Sequence, residues 1–162
     1  MADPTRVSPV DEEHLRAAIA AAWEARESGN HPFGAVLVTA GGRVIQGLNT
    51  VITDRDPTGH AETNLVRLSA AQLDASELST STLYTSTEPC AMCAGALYWA
   101  GIRRMVYALP EQSLIAIVAE VSDEPTLDLP SRTVFAAAGG TVAVAGPALE
   151  QEAAAVHEGF WG

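Results

Sequence analysis

The chain has 162 residues, 48% of them hydrophobic, which is enough for one folded domain with a sizeable core. It carries 20 acidic and 9 basic side chains, a formal net charge of −11, and this acidity disfavours binding to a long phosphate backbone. No apolar run is long enough to span a bilayer, and the first residues do not have the pattern of a signal peptide. We therefore expect a cytoplasmic protein with neither a membrane nor a nucleic-acid partner.

The first half of the chain predicts a helix, a β-hairpin and a second helix. Ser8-Pro9-Val10-Asp11 is typical of a helix start, because a serine cap precedes a proline and an acid follows three residues after the cap. Apolar runs on both sides of Gly41-Gly42 predict the hairpin. The predicted elements are a helix over 9–26, strands over 34–38 and 44–49, a loop over 50–59 and a helix over 60–73.

The second half continues the alternation of strands and helices. A strand over 82–86 leads to a helix that begins at Pro89 and ends at Gly101, a residue typical of helix C-termini. Further predictions are a strand over 104–109, a helical stretch over 114–121, an acidic loop over 122–130, a strand over 141–145 and a helix over 147–156. This alternation favours a three-layer α/β domain that spans residues 1–162.

Two short segments, H-x-E at 60–62 and P-C-x-x-C at 89–93, contain three residues of the types that bind zinc. Cys90 and Cys93 are three residues apart at a predicted helix start, so both sulfur atoms lie on one face, where the helix N-terminus favours thiolates. They are the only cysteines of the chain, and their spacing suits a metal better than a structural disulfide. With His60 they predict one zinc ion per chain, whose fourth position is left for water.

Glu62 lies two residues after the histidine and is predicted to carry protons rather than to bind the metal. The pattern H-x-E…P-C-x-x-C is the signature of zinc deaminases that act on nucleobases. In that chemistry a glutamate transfers a proton from water to the ring and then to the leaving amine. Two alternatives stay open. Glu62 could be only an acid at a helix start, and the zinc could be structural if a residue such as His31 supplied a fourth ligand.

These residues resemble the cytidine deaminase superfamily, and within it the guanine deaminase branch, over about residues 10–110. The resemblance is carried by His31-Pro32-Phe33-Gly34-Ala35-Val36, by Asn49, by residues 56–62 and 88–93, and by 96–100 with its Tyr-Trp pair. It implies a three-layer α/β/α cytidine-deaminase-like fold with a five-stranded mixed sheet and zinc at the helix ends. It also implies a homodimer.

The resemblance further implies a set of substrate-binding residues. Asn49 matches the asparagine that binds the base in the family, although it could also be a turn residue at a strand end. Phe33 is expected to line the base pocket and Trp99 to pack against the ring or a neighbouring subunit, with plain core packing as the alternative for both. The expected set is Phe33, Asn49, Ala61, Glu88, Trp99, His157, Glu158, Phe160 and Trp161.

The C-terminal segment, about residues 147–162, ends in two large aromatic side chains, Phe160 and Trp161. Chain ends are commonly frayed and polar, so we expect these rings to be docked. By the resemblance they form a lid over the active site, either of the same chain or, in a dimer with swapped segments, of the partner. The alternative is that they only pin the last helix to the domain or to an interface.

The resulting hypothesis is zinc-dependent hydrolytic deamination of a free nucleobase or a related amino-heterocycle, with release of ammonia. The ring is left open, among guanine or a guanine-like base, an oxidised purine, a triazine and a pyrimidine, because residues 111–120 do not match the acidic loop of guanine deaminases. A tRNA adenosine deaminase shares the zinc motif, but the acidic charge and Tyr98-Trp99 count against it. A catalytically silent zinc scaffold is the third alternative, and the presence of Glu62 beside all three ligands counts against it.

Overall fold

A five-stranded sheet with helices on both faces organises the chain in this computed structural model, which describes residues 1–162. The strands are β1 (Gly34–Val38), β2 (Val44–Leu48), β3 (Thr82–Thr87), β4 (Arg104–Leu109) and β5 (Ala143–Ala145). The helices are α1 (Pro9–Glu27), α2 (Ala61–Ala70), α3 (Ala75–Thr80), α4 (Ala91–Trp99), α5 (Glu111–Ala119), α6 (Ser131–Ala136) and α7 (Glu150–Ala155). The strand order is β2-β1-β3-β4-β5, antiparallel from β2 to β3 and parallel from β3 to β5, so the predicted mixed sheet is confirmed.

The side chains of the central strands alternate between two hydrophobic clusters. Leu83 and Met105 pack on one face with residues from α2, α4 and α6. Their chain neighbours Tyr84 and Val106 pack on the other face with residues from α1 and α7. This alternation is the consequence of the two-residue period of a β-strand, and it confirms the three-layer α/β/α arrangement.

The start of α1 is tied to the middle of the sheet. Ser8 caps the helix as predicted: its Oγ accepts a hydrogen bond from the Asp11 N–H at 3.2 Å. The Asp11 carboxylate also accepts hydrogen bonds from Arg104 at 2.8 and 2.9 Å and from the Tyr84 hydroxyl at 2.8 Å. Burial alone would raise the pKa of Asp11, but the hydrogen bonds from Arg104, Ser8 and Tyr84 hold it below its usual range.

A glycine in β2 lets α2 approach the sheet closely. A Cβ atom on Gly47 would lie 2.5 Å from the Ala61 carbonyl oxygen and 2.6 Å from the Leu65 Cβ, so a larger residue would push the helix away. Helix α2 begins directly after His60. The position of His60 therefore depends on the close contact between α2 and Gly47. None of the helices is both long enough and apolar enough to cross a membrane.

The structure corrects several predicted boundaries and adds two helices. The helix expected over 60–73 ends at Ala70, and α3 follows it, with Asp74 and Glu77 forming a capping box. Helix α6 lies in a region for which no element was predicted. Helix α5 begins at Glu111, earlier than expected, and α7 begins only at Glu150, after a residue with left-handed backbone geometry.

Candidate active site

The three predicted zinc ligands meet where α2 and α4 begin. His60 and Cys90 are the N-cap residues of these helices, and Cys93 lies one turn into α4. The His60 Nδ1 atom is 3.7 Å from the Cys90 Sγ and 3.5 Å from the Cys93 Sγ, and all three ligand atoms lie within 4.8 Å of one another. Tetrahedral zinc with bonds of about 2.0–2.3 Å separates its ligand atoms by roughly 3.4–3.8 Å. The donor set and its spacing therefore fit one zinc ion.

The two thiols differ in acidity because they are hydrogen-bonded to each other. The hydrogen bond from Cys93 lowers the pKa of Cys90 to about 4, and the His60 ring acts in the same direction. The same hydrogen bond, together with burial, raises the pKa of Cys93. Zinc binds thiolates, so binding must release the proton that the pair retains, and the affinity for zinc must rise with pH.

His31 does not complete a closed metal site. It lines the neighbouring cavity, but it is not among the side chains close enough to share an ion with His60, Cys90 and Cys93. A structural zinc site needs four protein ligands, whereas a catalytic site has three and an open position. The geometry is therefore that of the catalytic type.

The loop that precedes His60 is held by an asparagine that sequence reasoning missed. The Asn64 side-chain amide donates hydrogen bonds to the Leu48 carbonyl at 2.8 Å and to the Thr50 Oγ1 at 2.9 Å. These bonds tie the first turn of α2 to the end of β2. No local pattern around Asn64 indicates this role, because its partners lie 14 and 16 residues away in sequence.

Glu62 is buried beside the ligand trio, and a threonine holds its carboxyl group. Its side chain is only 5% exposed, and burial raises its pKa. The Thr85 Oγ1 atom lies 2.7 Å from the Glu62 Oε1 and 2.8 Å from the Thr87 carbonyl oxygen. The hydroxyl can donate to an ionised Glu62. It can equally accept from a protonated Glu62 and donate to the carbonyl. Thr85, which the sequence analysis also missed, therefore satisfies both protonation states.

A cavity of about 430 Å³ opens next to these residues. Its size is within the range of small-molecule sites, which is roughly 300–1,000 Å³. Apolar residues from α5 and a loop line one part of the wall, and polar residues line the rest. The lining residues are His31, Phe33, Pro57, His60, Glu62, Thr87, Glu88, Cys90, Met92, Glu111, Leu114, Ile115, Val118, Glu124, Pro125, Thr126, Leu127 and Trp161.

Glu88 lines the cavity, but its carboxylate is already bound within the chain. Oε1 accepts hydrogen bonds from the Ser131 N–H at 2.9 Å and from its hydroxyl at 2.6 Å, and Oε2 accepts one from the Glu111 N–H at 2.9 Å. Its carboxylate fixes the starts of α5 and α6 at the cavity, and the predicted contact of Glu88 with substrate stays a prediction.

Six of the nine predicted substrate residues do not line the cavity, namely Asn49, Ala61, Trp99, His157, Glu158 and Phe160. Ala61 packs in the hydrophobic core, Glu158 is exposed to solvent, and Trp99 is 84% exposed outside the cavity wall. Asn49 is buried, and its side-chain oxygen accepts a hydrogen bond from the Val51 N–H at 3.1 Å, as a turn residue would. The Asn49 amide NH₂ group donates no hydrogen bond within the chain, so its role in base binding stays a prediction.

The C-terminal segment docks on its own chain beside the cavity. Trp161 lines the cavity, and its Nε1 donates a hydrogen bond to the His157 Nδ1 at 3.2 Å. Phe160 packs edge-on against Trp161 and lies outside the wall. Arg26 of α1 donates to the Val156 and Glu158 carbonyls, both at 2.7 Å, and so clamps the segment.

His157 is buried beneath this segment rather than open to the cavity. Its side chain is 2% exposed, and burial lowers its pKa to about 4, so the ring is neutral near pH 7. Nδ1 accepts the Trp161 hydrogen bond, and Nε2 lies 3.5 Å from the Thr87 Oγ1. Both ring nitrogens face protein groups, so His157 holds Trp161 in place, and its contact with substrate stays a prediction.

The chain belongs to the cytidine and deoxycytidylate deaminase family. Residues 8–109 match the zinc-binding region that defines it, which confirms the resemblance and makes the protein a zinc-dependent deaminase. It is 42% identical over 157 residues to a probable cytosine deaminase of Schizosaccharomyces pombe, a match that covers 97% of this chain and 96% of the relative.

Other relatives act on different substrates. The chain is 44% identical over 98 residues to a guanine deaminase of Bacillus subtilis, covering 60% of this chain and 63% of that protein. The solved guanine deaminase from Nitrosomonas europaea superposes with a TM-score of 0.75 and 26% identity, covering 93% of this chain and 82% of the other. Since tRNA-specific adenosine deaminases match as well, membership of the family leaves the substrate open.

Proposed function

We propose that this deaminase acts on a free amino-substituted nucleobase or a related heterocycle, replaces the ring amino group by oxygen from water, and releases ammonia. The observation that carries the proposal is Glu62. It is a buried carboxyl group with a raised pKa, placed in the wall of a cavity that it shares with His60 and Cys90. A perturbed acid in a cavity beside a metal site is the arrangement that proton-transfer chemistry requires.

The chain's own residues account for the proton transfers. His60, Cys90 and Cys93 would hold one zinc ion per chain. When bound, this ion would supply Lewis-acid chemistry, which lowers the pKa of water toward neutrality. Glu62 accepts a proton from the attacking water and delivers it to the ring nitrogen. It then transfers the second proton to the departing amine, so that one water is consumed and one ammonia leaves. Thr85 supports Glu62 in both of its protonation states.

The charges around the cavity favour an uncharged small substrate. Its wall contains the carboxyl groups of Glu62, Glu88, Glu111 and Glu124 and neither a lysine nor an arginine. A phosphate group would be repelled there, and the net charge of −11 would repel a polyanion from the protein as a whole. Because a relative that matches 97% of this chain is named a probable cytosine deaminase, cytosine is the first ring to test, and guanine is the second.

We expect free bases to be turned over with a kcat/KM far above that for a tRNA anticodon stem. The measurement is ammonia release from the zinc-loaded protein with cytosine, guanine and related rings, with their nucleosides, and with the tRNA stem. Comparable kcat/KM values for the stem and the best free base would instead support tRNA adenosine deamination.

We also propose that the C-terminal segment is a lid over the cavity of its own chain. Trp161 lies in the cavity wall and could stack on a flat ring, a contact worth about 1–3 kcal/mol per base. A lid would also exclude water around the reacting ring.

The exposed Trp99 supports a homodimer in which a partner subunit covers this side chain. The cytoplasm remains the proposed location of the protein.

Deletion of residues 159–162 tests the lid. We expect zinc content and the melting transition to be preserved and kcat/KM for the best free base to fall by about tenfold or more, because the stacking contact is lost. Phe160→Ala is the matched control, since Phe160 lies outside the cavity wall and should affect kinetics less. Unchanged kinetics with a lowered melting temperature would show that the segment only pins α7.

A further inference from the structure

Glu111 is a buried acid in the cavity wall that takes no part in the proposed proton transfers. Its side chain is 5% exposed, and its Oε2 atom is one of two buried side-chain polar atoms of the chain that have no hydrogen-bond partner. The other is the Ser69 Oγ, which is not part of the cavity wall. A buried polar atom without a partner costs about 1–3 kcal/mol, so an unsatisfied carboxyl oxygen at a binding site points to a missing donor.

The position of Glu111 is fixed from both sides. Its N–H donates to the Glu88 Oε2 at 2.9 Å, and Glu88 is itself held by two hydrogen bonds from Ser131. Glu111 is also the first residue of α5, whose later residues pack in the same wall. The carboxyl group is therefore held by an anchored backbone rather than by a free loop.

No cation of the chain pairs with Glu111. The ion pairs of the structure join Arg16 to Glu12 and Glu152, and Arg104 to Asp11. The rest of α5 at the cavity is apolar, with Leu114, Ile115 and Val118 in the wall. An apolar strip that begins with one unpaired acceptor matches a flat ring that carries an N–H on its edge.

We propose that Glu111 is a specificity-determining residue whose carboxyl group accepts a hydrogen bond from a ring N–H of the substrate, a group other than the amine that leaves. This inference rests on the proposed function and narrows its substrate class. In a nucleoside the sugar replaces the hydrogen of one ring nitrogen, so that N–H is lost. Glu111 therefore selects free bases over nucleosides and over bases alkylated at that nitrogen.

The test compares cytosine with 1-methylcytosine, or the best free base with its ring-N-methyl analogue, on the zinc-loaded full chain. The wild type should prefer the unmethylated ring by about tenfold or more, because methylation of the ring nitrogen leaves a buried acceptor without its partner. Glu111→Leu keeps a similar volume but has no acceptor, so its kcat/KM for the free base should fall by about the same factor. The kcat/KM of this variant for the methylated ring should change little, so the preference for the unmethylated ring should be lost.

Two further variants control the comparison. Glu111→Gln keeps a carbonyl acceptor and should retain part of the preference. Glu120→Leu changes an exposed glutamate at the other end of α5, outside the cavity wall, and should leave both rates unchanged.

A Glu111→Leu variant that keeps the full wild-type preference would overturn the inference, because the discrimination would then be steric and the Oε2 partner a buried water. If this variant does not fold, a wild type that turns over both rings equally would overturn it as well. The proposed function stands in either case as long as wild-type ammonia release is lost in Glu62→Ala. A wild type that deaminates no ring would overturn both.

Discussion

Replacing Glu62 with alanine should lower turnover by at least about 100-fold, the lower end of what general acid–base catalysis contributes. Glu62 is a buried carboxyl group in the cavity wall beside His60 and Cys90, and the Thr85 Oγ1 lies 2.7 Å from its Oε1. The zinc ligands are separate side chains, so zinc content should be unchanged. Turnover is measured as ammonia release on the best free base, with metal analysis and a melting curve on the same preparation.

Glu62→Gln separates proton transfer from shape. The amide has nearly the same size and can still bond to Thr85, but it cannot carry a proton. We expect a loss similar to that of the alanine variant, with an intact melting transition. Glu77→Gln, a change to an exposed glutamate of α3, is the matched control and should retain full activity. Near-normal turnover by either Glu62 variant would remove Glu62 from the mechanism.

The double variant Cys90→Ala, Cys93→Ala should lose both zinc and activity. The two thiols supply two of the three ligands, and His60 alone cannot hold the ion. We expect zinc to fall from about one per chain to nearly none and ammonia release to fall to background. Because zinc bound to the folded state stabilises it, the melting temperature should fall toward that of the chelator-treated wild type.

His31→Ala is the control for this experiment. His31 lies at the same cavity but outside the ligand cluster, so the variant should keep its zinc. Zinc loss in His31→Ala, together with an inactive wild type, would favour a closed structural site. Full occupancy in the double cysteine variant would mean that the ion is bound elsewhere.

The parts of the site that could be predicted are those encoded over short distances. The spacing of Cys90 and Cys93 places both thiols in one helical turn, and H-x-E places Glu62 in the first turn of the helix that its histidine caps. The alternation along β3 and β4 likewise comes from a local period, which is why the layers could be predicted. Even the missed α3 had a readable signal, the capping box between Asp74 and Glu77.

The parts that could not be predicted depend on contacts between distant segments. Glu88 is 43 residues from Ser131, and their hydrogen bonds place α6, for which no local signal was recognised. Thr85 reaches Glu62 across 23 residues, and Arg26 reaches the C-terminal segment across 130 or more. Sequence patterns indicate which residues can do chemistry, but such bonds decide which of them face the cavity.

The structure shows where residues 111–120, which depart from the guanine deaminase pattern, lie relative to the cavity. This stretch is α5, and its first and inward residues form part of the cavity wall. A change of residues there alters the surface that a substrate ring would contact. The mismatch that left the ring open in the sequence is therefore located at the wall where substrate selection is expected.

A reaction in water enriched in ¹⁸O tests whether the protein deaminates a free ring by hydrolysis. The zinc-loaded protein is incubated with cytosine and with guanine, and ammonia and the ring product are quantified together. Hydrolytic deamination predicts equal amounts of ammonia and of an oxo product that carries one oxygen atom from the solvent, with neither formed by Glu62→Ala. Failure of the zinc-loaded wild type to release ammonia from these or any related free ring would contradict it.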